Sequence, residues 1–187
     1  MRNCGPSTSC PLTRSARRKA KGCPRTDIGE ISKVSTDPDP YSEFHSHETG
    51  KPFQTCISCG LTLADPEQPF LVAKSFNRGE CIFEYAICED CRANMSEEFS
   101  EDSRANLANF FEQRVNIKQR SMLLAFGPNP DPWMAYCAAC QKPREEMQSY
   151  SIGGLLQGNE MLFDPYPLCL CGECEEEIQE LLSKKTR

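Results

Sequence analysis

Long apolar runs are missing from this chain. Nowhere in its 187 residues does a window approach the roughly 18 uncharged apolar residues that a membrane-spanning helix needs. The first 30 residues contain no apolar segment of the kind found at the centre of a secretion signal. Histidine occurs twice and tryptophan once, and only 39% of the chain is apolar even with cysteine counted. His-Glu-x-x-His, His-x-Glu and Gly-x-Ser-x-Gly are absent, which removes the usual sequence grounds for hydrolytic chemistry. The expectation from these gaps is a soluble, cytoplasmic protein that is not an enzyme and whose small apolar content needs help to fold.

Cysteine is the residue in excess, with 13 copies. An odd number leaves a thiol over in any complete disulfide framework, and with no leader read in the first 30 residues the expectation is a reducing compartment. Eight of the cysteines form four Cys-x-x-Cys pairs: Cys56/Cys59, Cys88/Cys91, Cys137/Cys140 and Cys171/Cys174. A knuckle turn or a first helical turn puts residues i and i+3 on one side, so each pair can aim two thiolates at one ion. Two pairs supply a tetrahedral site, and four pairs predict two structural Zn2+ ions per chain.

The chain also repeats itself. Cys88 to Arg104 aligns without gaps on Cys171 to Arg187, with both cysteines, Glu97/Glu180, Ser100/Ser183 and the closing arginine identical. Each copy has its own upstream pair, with 28 residues between Cys59 and Cys88 and 30 between Cys140 and Cys171. Ligands are therefore paired within copies: Cys56, Cys59, Cys88 and Cys91 in one, Cys137, Cys140, Cys171 and Cys174 in the other.

Each copy reads as knuckle, hairpin and helix. In the first, Gly60 supplies the positive φ of the knuckle. Strands follow at Phe70 to Phe76 and Cys81 to Ile87, around a turn at Asn77 to Glu80, with Phe83, Tyr85 and Ile87 on one face. Cys88 and Cys91 open a helix with Met95 and Phe99 on one stripe. Ser100 caps a second helix that runs to about Lys118 and buries Leu107, Phe110, Phe111 and Val115. The second copy repeats the pattern with a run through Tyr150 and Ile152, a Gly158-Asn159 turn, and Leu168 to Leu170 leading into Cys171. Arg187 aligns with Arg104, so either the second copy lacks its second helix or, as preferred, the sequence stops short of it. The proline-rich stretch from Gly127 to Pro132 reads as extended backbone. The expected organisation is a disordered tail over 1–50, zinc unit 1 over 51–120, a linker over 121–132 and zinc unit 2 over 133–187.

A cysteine knuckle, a hairpin and a second Cys-x-x-Cys at a helix start resemble the treble-clef zinc fingers, most nearly the small zinc-binding domain at the head of the Clp unfoldase ATPase. The resemblance covers residues 56–99 and 137–182 through the ligands and the helix stripe. The hairpins here are longer, and no Gly-x-x-x-x-Gly-Lys-Ser/Thr accompanies them. It implies a small, metal-stabilised α+β fold of two tandem units, four cysteine ligands per zinc, and protein–protein recognition.

Other residues read as secondary. Cys169 lies two residues before Cys171 and is an alternative ligand, but the i,i+3 pair chelates better. Cys4, Cys10 and Cys23 fall in the tail as free thiols, and Cys81 has no counterpart in the other copy. His45 and His47 are expected at the surface or where the chain runs into the first knuckle, since the sulfur set is already complete. Trp133 and Tyr136 are expected to cover the second zinc or the contact between units.

Charge divides along the chain. Residues 1–50 carry +2, residues 51–126 carry −3 and residues 127–187 carry −5. Eight thiolates on two Zn2+ deepen the total from −6 to about −10, a surface that repels phosphate backbones. Only the tail, from Arg2 to Arg25, offers a basic arm. The expected function is an adaptor: two acidic units packed as an internal pseudo-dimer that present surfaces to a protein partner. A nucleic-acid-associated factor acting through the basic arm is the alternative, and a thiol redox protein is a remote third.

Overall fold

Alternation of apolar and polar residues builds the sheet. The computed structural model describes residues 39–123, 127, 129–163 and 165–182. In it, Pro69–Asn77 forms β1 and Glu80–Cys88 forms β2, paired antiparallel across Arg78 and Gly79. Both turn residues have positive φ (51° and 82°), the backbone twist that a two-residue hairpin turn favours. Ser149–Gln157 is β3, and Gly158-Asn159 turns it into β4, Glu160–Met161. Leu168–Cys171 is β5, antiparallel to the first half of β3.

All five strands make one sheet of order β2-β1-β3-β4, with β5 also beside β3. The seam between the two halves is the antiparallel pairing of β1 with β3, from Pro69 opposite Gln157 to Asn77 opposite Ser149. An offset of 80 carries β1 onto β3, and it turns the Phe70–Leu156 pair into the Tyr150–Phe76 pair. Ala73 faces Gly153 at the centre, so a local twofold axis runs between them. One face of the seam buries Phe70, Val72, Phe76, Ile152 and Leu156. In the second half the offset grows from 80 to 83, and these three extra residues split the last strand into β4 and β5.

Cys88 and Cys171, both in extended conformation, lead into equivalent helices: α1 (Glu89–Glu97) and α5 (Gly172–Leu181). Each has acids in its first turn, where the helix dipole favours them. The stripe expected on the first helix is not core, because Met95 is exposed and Phe99 only half-buried. Ser100 caps α2 (Glu101–Arg114), its hydroxyl accepting the Ser103 N–H at 3.2 Å. The helix does not continue to Lys118. It stops at Val115 (φ −102°, ψ 112°), and Asn116 caps a separate α3 (Ile117–Met122) by accepting the Gln119 N–H at 2.9 Å. A β-branched residue followed by a strong capping residue favours such a restart. α2 leaves its own half and lies along α5. There the Arg114 guanidinium pairs with the Glu177 carboxylate, and Asn106 Nδ2 donates to the Leu181 carbonyl at 3.1 Å.

Two further expectations are corrected. The Gly127 to Pro132 stretch is not simply extended, since Pro130 is itself helical (φ −74°, ψ −23°) as the cap of α4 (Asp131–Met134), and at the start of the expected 121–132 linker Ser121 and Met122 close α3. Proline suits a first helical turn because the N–H it lacks would have no partner there. The Asn129 side chain accepts the Asp131 N–H at 3.0 Å and steadies the turn.

The second correction concerns residues 39–50, which fold against the sheet; the remainder of the expected tail lies outside the described residues. A short 3-10 turn, Ser42–Phe44, places Phe44 at 1% exposure over Gly154. Beneath this strap lies Lys74, buried in β1. Its Nζ donates to the carbonyls of Glu43 (3.1 Å) and His45 (2.5 Å) and sits 3.5 Å from a Glu84 carboxylate oxygen. Glu84 also accepts the Ser46 hydroxyl at 2.9 Å and the His47 N–H at 2.7 Å. Burial alone would raise the Glu84 carboxyl, but these donors together with Lys74 outweigh it and hold its pKa below the usual value.

A Cβ at Gly154 would lie 2.5 Å from the Phe44 ring, whereas one at Gly153 would meet nothing closer than 3.6 Å. Gly154→Ala is therefore expected to cost about 1–3 kcal/mol in denaturant unfolding, and Gly153→Ala much less. In the Phe44→Ala background the Gly154→Ala penalty should shrink, giving a coupling readable in a double-mutant cycle.

Candidate metal centres

Each half holds its Cys-x-x-Cys knuckle against the neighbouring strand with the same backbone hydrogen bonds. In the first, Gly60 N–H donates to Cys56 O (2.9 Å), Cys56 N–H to Leu61 O (2.8 Å) and Ile57 N–H to Ala86 O (2.9 Å). In the second, Gln141 donates to Cys137 O (2.9 Å), Cys137 to Lys142 O (2.9 Å) and Ala138 to Cys169 O (2.7 Å). Isolated bridges, Thr55 with Thr62 and Tyr136 with Pro143, close the two loops. Gly60 has the positive φ expected of it (74°). Its counterpart is Gln141 at 63°, a conformation that costs a side-chain-bearing residue about 1–2 kcal/mol. Gln141 offsets part of this by donating from Nε2 to the carbonyls of Cys137 (3.2 Å) and Ala138 (3.3 Å).

The knuckles bring four sulfurs together twice. Cys56, Cys59, Cys88 and Cys91 form one cluster and Cys137, Cys140, Cys171 and Cys174 the other, with all Sγ atoms of a cluster within 4.8 Å of one another. Either cluster could hold a metal ion. Cys59 and Cys88 are 3.7 Å apart at sulfur, and Cys140 and Cys171 3.6 Å. A disulfide needs about 2.05 Å. Bonds of about 2.3 Å to a central tetrahedral ion set sulfurs about 3.8 Å apart, so the spacing fits an ion and not a covalent bridge.

The protonation pattern fits the same donor set. Burial pushes the Cys56 thiol up, but the N–H groups of Cys88, Cys59 and Ser58 aimed at its sulfur outweigh burial and bring it to about 6. The Cys88 N–H to Cys56 sulfur contact is 3.4 Å, and the equivalent Cys171 N–H to Cys137 contact is also 3.4 Å. Cys137 is likewise lowered, its backbone donors overcoming burial. Their neighbours move the other way. Burial pushes Cys88 up to about 12, Cys171 to about 11 and Cys174 upward as well. At Cys59 the Leu61 N–H lowers the thiol, but hydrogen bonds with Cys91 and Cys56 prevail and raise it. The lowered thiols of Cys56 and Cys137 favour a thiolate, whereas the raised ones, Cys59 and Cys88 in the first cluster and Cys171 and Cys174 in the second, hold their protons until a cation shares the site.

Three cations surround the second cluster. Arg120, on α3, is buried beside Cys137 and Cys169, and burial lowers its guanidinium to about 10. It donates to the carbonyls of Pro167 and Trp133 and stacks 4.8 Å from the Trp133 ring. Arg114 feels the charge of Cys174 and Cys140, and Lys142 that of Cys171 and Cys140, while Lys142 Nζ bonds Glu173 at 2.9 Å. Nothing in the local sequence marks Arg120, because its burial depends on Trp133 and Pro167, which lie 13 and 47 positions further along the chain.

The other expected positions fall away from the sulfur clusters. Cys169 is fully buried beside Ile152, its thiol pushed up to about 12 by burial, and is not part of the second cluster. Cys81 lies at an irregularity in the β1–β2 pairing, its thiol directed to the Phe83 carbonyl (3.7 Å). His45 Nε2 meets Asp39 at 3.0 Å, and His47 is exposed. Trp133 is buried against Phe163, whereas Tyr136 stays half in solvent. Cys4, Cys10 and Cys23 lie outside the described residues.

Compared with known proteins, the chain matches no family model, no curated protein and no solved structure. What the centres can do is therefore read from their own geometry.

Loading a divalent ion at pH 7 is expected to release two or more protons per cluster, measurable by titration in buffers of different ionisation enthalpy. Affinity should fall as pH drops, because protons compete for the raised thiols. In the knuckle, Gln141→Ala should destabilise by about 1–2 kcal/mol, since it keeps the positive φ and loses both hydrogen bonds. Gln141→Gly should cost less than half of that in the same thermal or denaturant assay.

Proposed function

We propose that this chain is a non-catalytic protein-interaction module folded around two structural Zn2+ ions, each half a treble-clef-like unit. The observation that carries this reading is the pair of four-sulfur clusters with matching spacing and matching N–H to sulfur hydrogen bonds. Four thiolates complete the tetrahedron of zinc and leave no position at which a water could be activated. Cys56, Cys59, Cys88 and Cys91 would hold one ion, and Cys137, Cys140, Cys171 and Cys174 the other.

Zinc would supply folding energy. An apparent 10–16 kcal/mol per structural ion, the range seen in finger peptides, exceeds the few kcal/mol that a core of this size leaves in hand. The acidic balance of residues 51–187 supports a protein partner over a phosphate backbone.

Metal analysis and native mass spectrometry of the purified protein are expected to give two zinc ions per chain. A Cys56→Ser, Cys59→Ser variant should retain one ion. Because β1 and β3 share a seam, that variant should melt in one cooperative transition at lower temperature, not as one intact and one unfolded half. A compact metal-free chain, or disulfide reductase turnover by the zinc-loaded form, would overturn the reading. So would salt-sensitive nucleic-acid binding that is lost when residues 1–26 are removed.

A further inference from the structure

The local twofold makes the two halves comparable surface by surface, and on one surface they differ. Beside α1 and the outer strand β2 lies an open groove of about 430 Å³ whose walls include Ile57, Phe83, Tyr85, Ile87 and Met95. Ile57 is 62% exposed, Phe83 56% and Met95 42%, so three large apolar side chains meet water around one concavity. The knuckle and helix alignments map Ile57 onto Ala138 and Met95 onto Ile178. In the second half these positions are covered: Ala138 is fully buried and Ile178 half-buried.

The cover along α5 is a helix, α2. Its Arg114 pairs with Glu177 and its Asn106 with the Leu181 carbonyl. Glu177 and Leu181 are the counterparts of Asn94 and Glu98, and both of those line the open groove. From these equivalences we infer that the groove over α1 and β2 is a docking site for an amphipathic α-helix of a partner protein, lying on α1 as α2 lies on α5. The inference rests on the interaction-module reading and gives it a surface and a partner chemistry.

Charge refines the partner. Where the covered surface has Leu181, the open one has Glu98, and α1 also exposes Asp90 and Glu97. A helix presenting Leu or Phe at i, i+3 and i+4 satisfies the floor. A Lys or Arg at the place corresponding to Asn106 faces Glu98.

The test uses the zinc-loaded full chain, isotope-labelled, and two capped peptides of residues 100–116: one with the native sequence, one carrying Asn106→Lys. Both peptides are expected to shift the amide resonances of Ile57, Phe83 and Met95. The Asn106→Lys peptide should bind about two- to five-fold tighter, the range for an exposed ion pair, and Glu98→Gln in the protein should erase that difference. Phe83→Asp and Met95→Glu, at exposed positions, should each weaken binding tenfold or more while two zinc ions per chain remain. No binding at millimolar peptide, or shifts confined to another surface, would overturn the inference while the zinc content leaves the module reading standing. Concentration-dependent dimerisation that buries Phe83 and Met95 would overturn it in favour of a second copy as occupant. Absence of zinc in the same samples would remove the module reading and the inference together.

Discussion

The seam between β1 and β3 is the constraint on which the rest of the structure depends. Side chains alternate along a strand, so one residue of slip would send Phe70, Val72, Phe76, Ile152 and Leu156 to the opposite face. The centre of that seam, Ala73 against Gly153, carries almost no side chain. The register is therefore fixed from the flanks, where Phe76 and Tyr150 stack 4.9 Å apart at one end and Phe70 and Leu156 meet at the other. Both four-sulfur clusters hang from this sheet, because Cys88 ends β2 and Cys171 ends β5.

Symmetry in the seam does not make the halves identical. The strap carrying Phe44 lies over Gly154, and Lys74 beneath it is satisfied by the carbonyls of Glu43 and His45. The counterpart of Lys74 is Gly154, so the strap exploits a glycine in one copy and a lysine in the other. α2 introduces a second asymmetry by covering α5 and leaving α1 open. The halves share one framework, and the strap and α2 give each its own surroundings.

Much of the local structure is legible in the residues. Gly60 in the knuckle, the Asn77 to Glu80 turn, the alternation from Phe70 to Phe76 and the Ser100 cap each express a preference within a few residues, and the structure shows each of them. The eight cysteines are equally legible, because spacing alone brings i and i+3 together. What depends on distant partners is not. Lys74 shares the buried face of Phe70, Val72 and Phe76, and nothing near it in sequence shows how its charge is accommodated there: carbonyls some thirty positions upstream accept its hydrogen bonds. Arg120 and Phe44 are of the same kind. Pro130 illustrates a different limit, since proline forbids a helix interior but welcomes a first turn, and only the chain beyond decides which applies.

The placement of the two sulfur clusters has a consequence of its own. Cys88 sits opposite Phe70, and Cys171 connects through Tyr150 to Phe76, so six residue steps along β1 separate the two ends. At about 3.3 Å per residue that is roughly 20 Å, more than twice the Debye length of about 8 Å in physiological salt. Four thiolates on a divalent ion would make each centre doubly negative, and two such centres this far apart would scarcely feel each other's field. What the two clusters share is the strand registry that sets their separation, not a common electrostatic field.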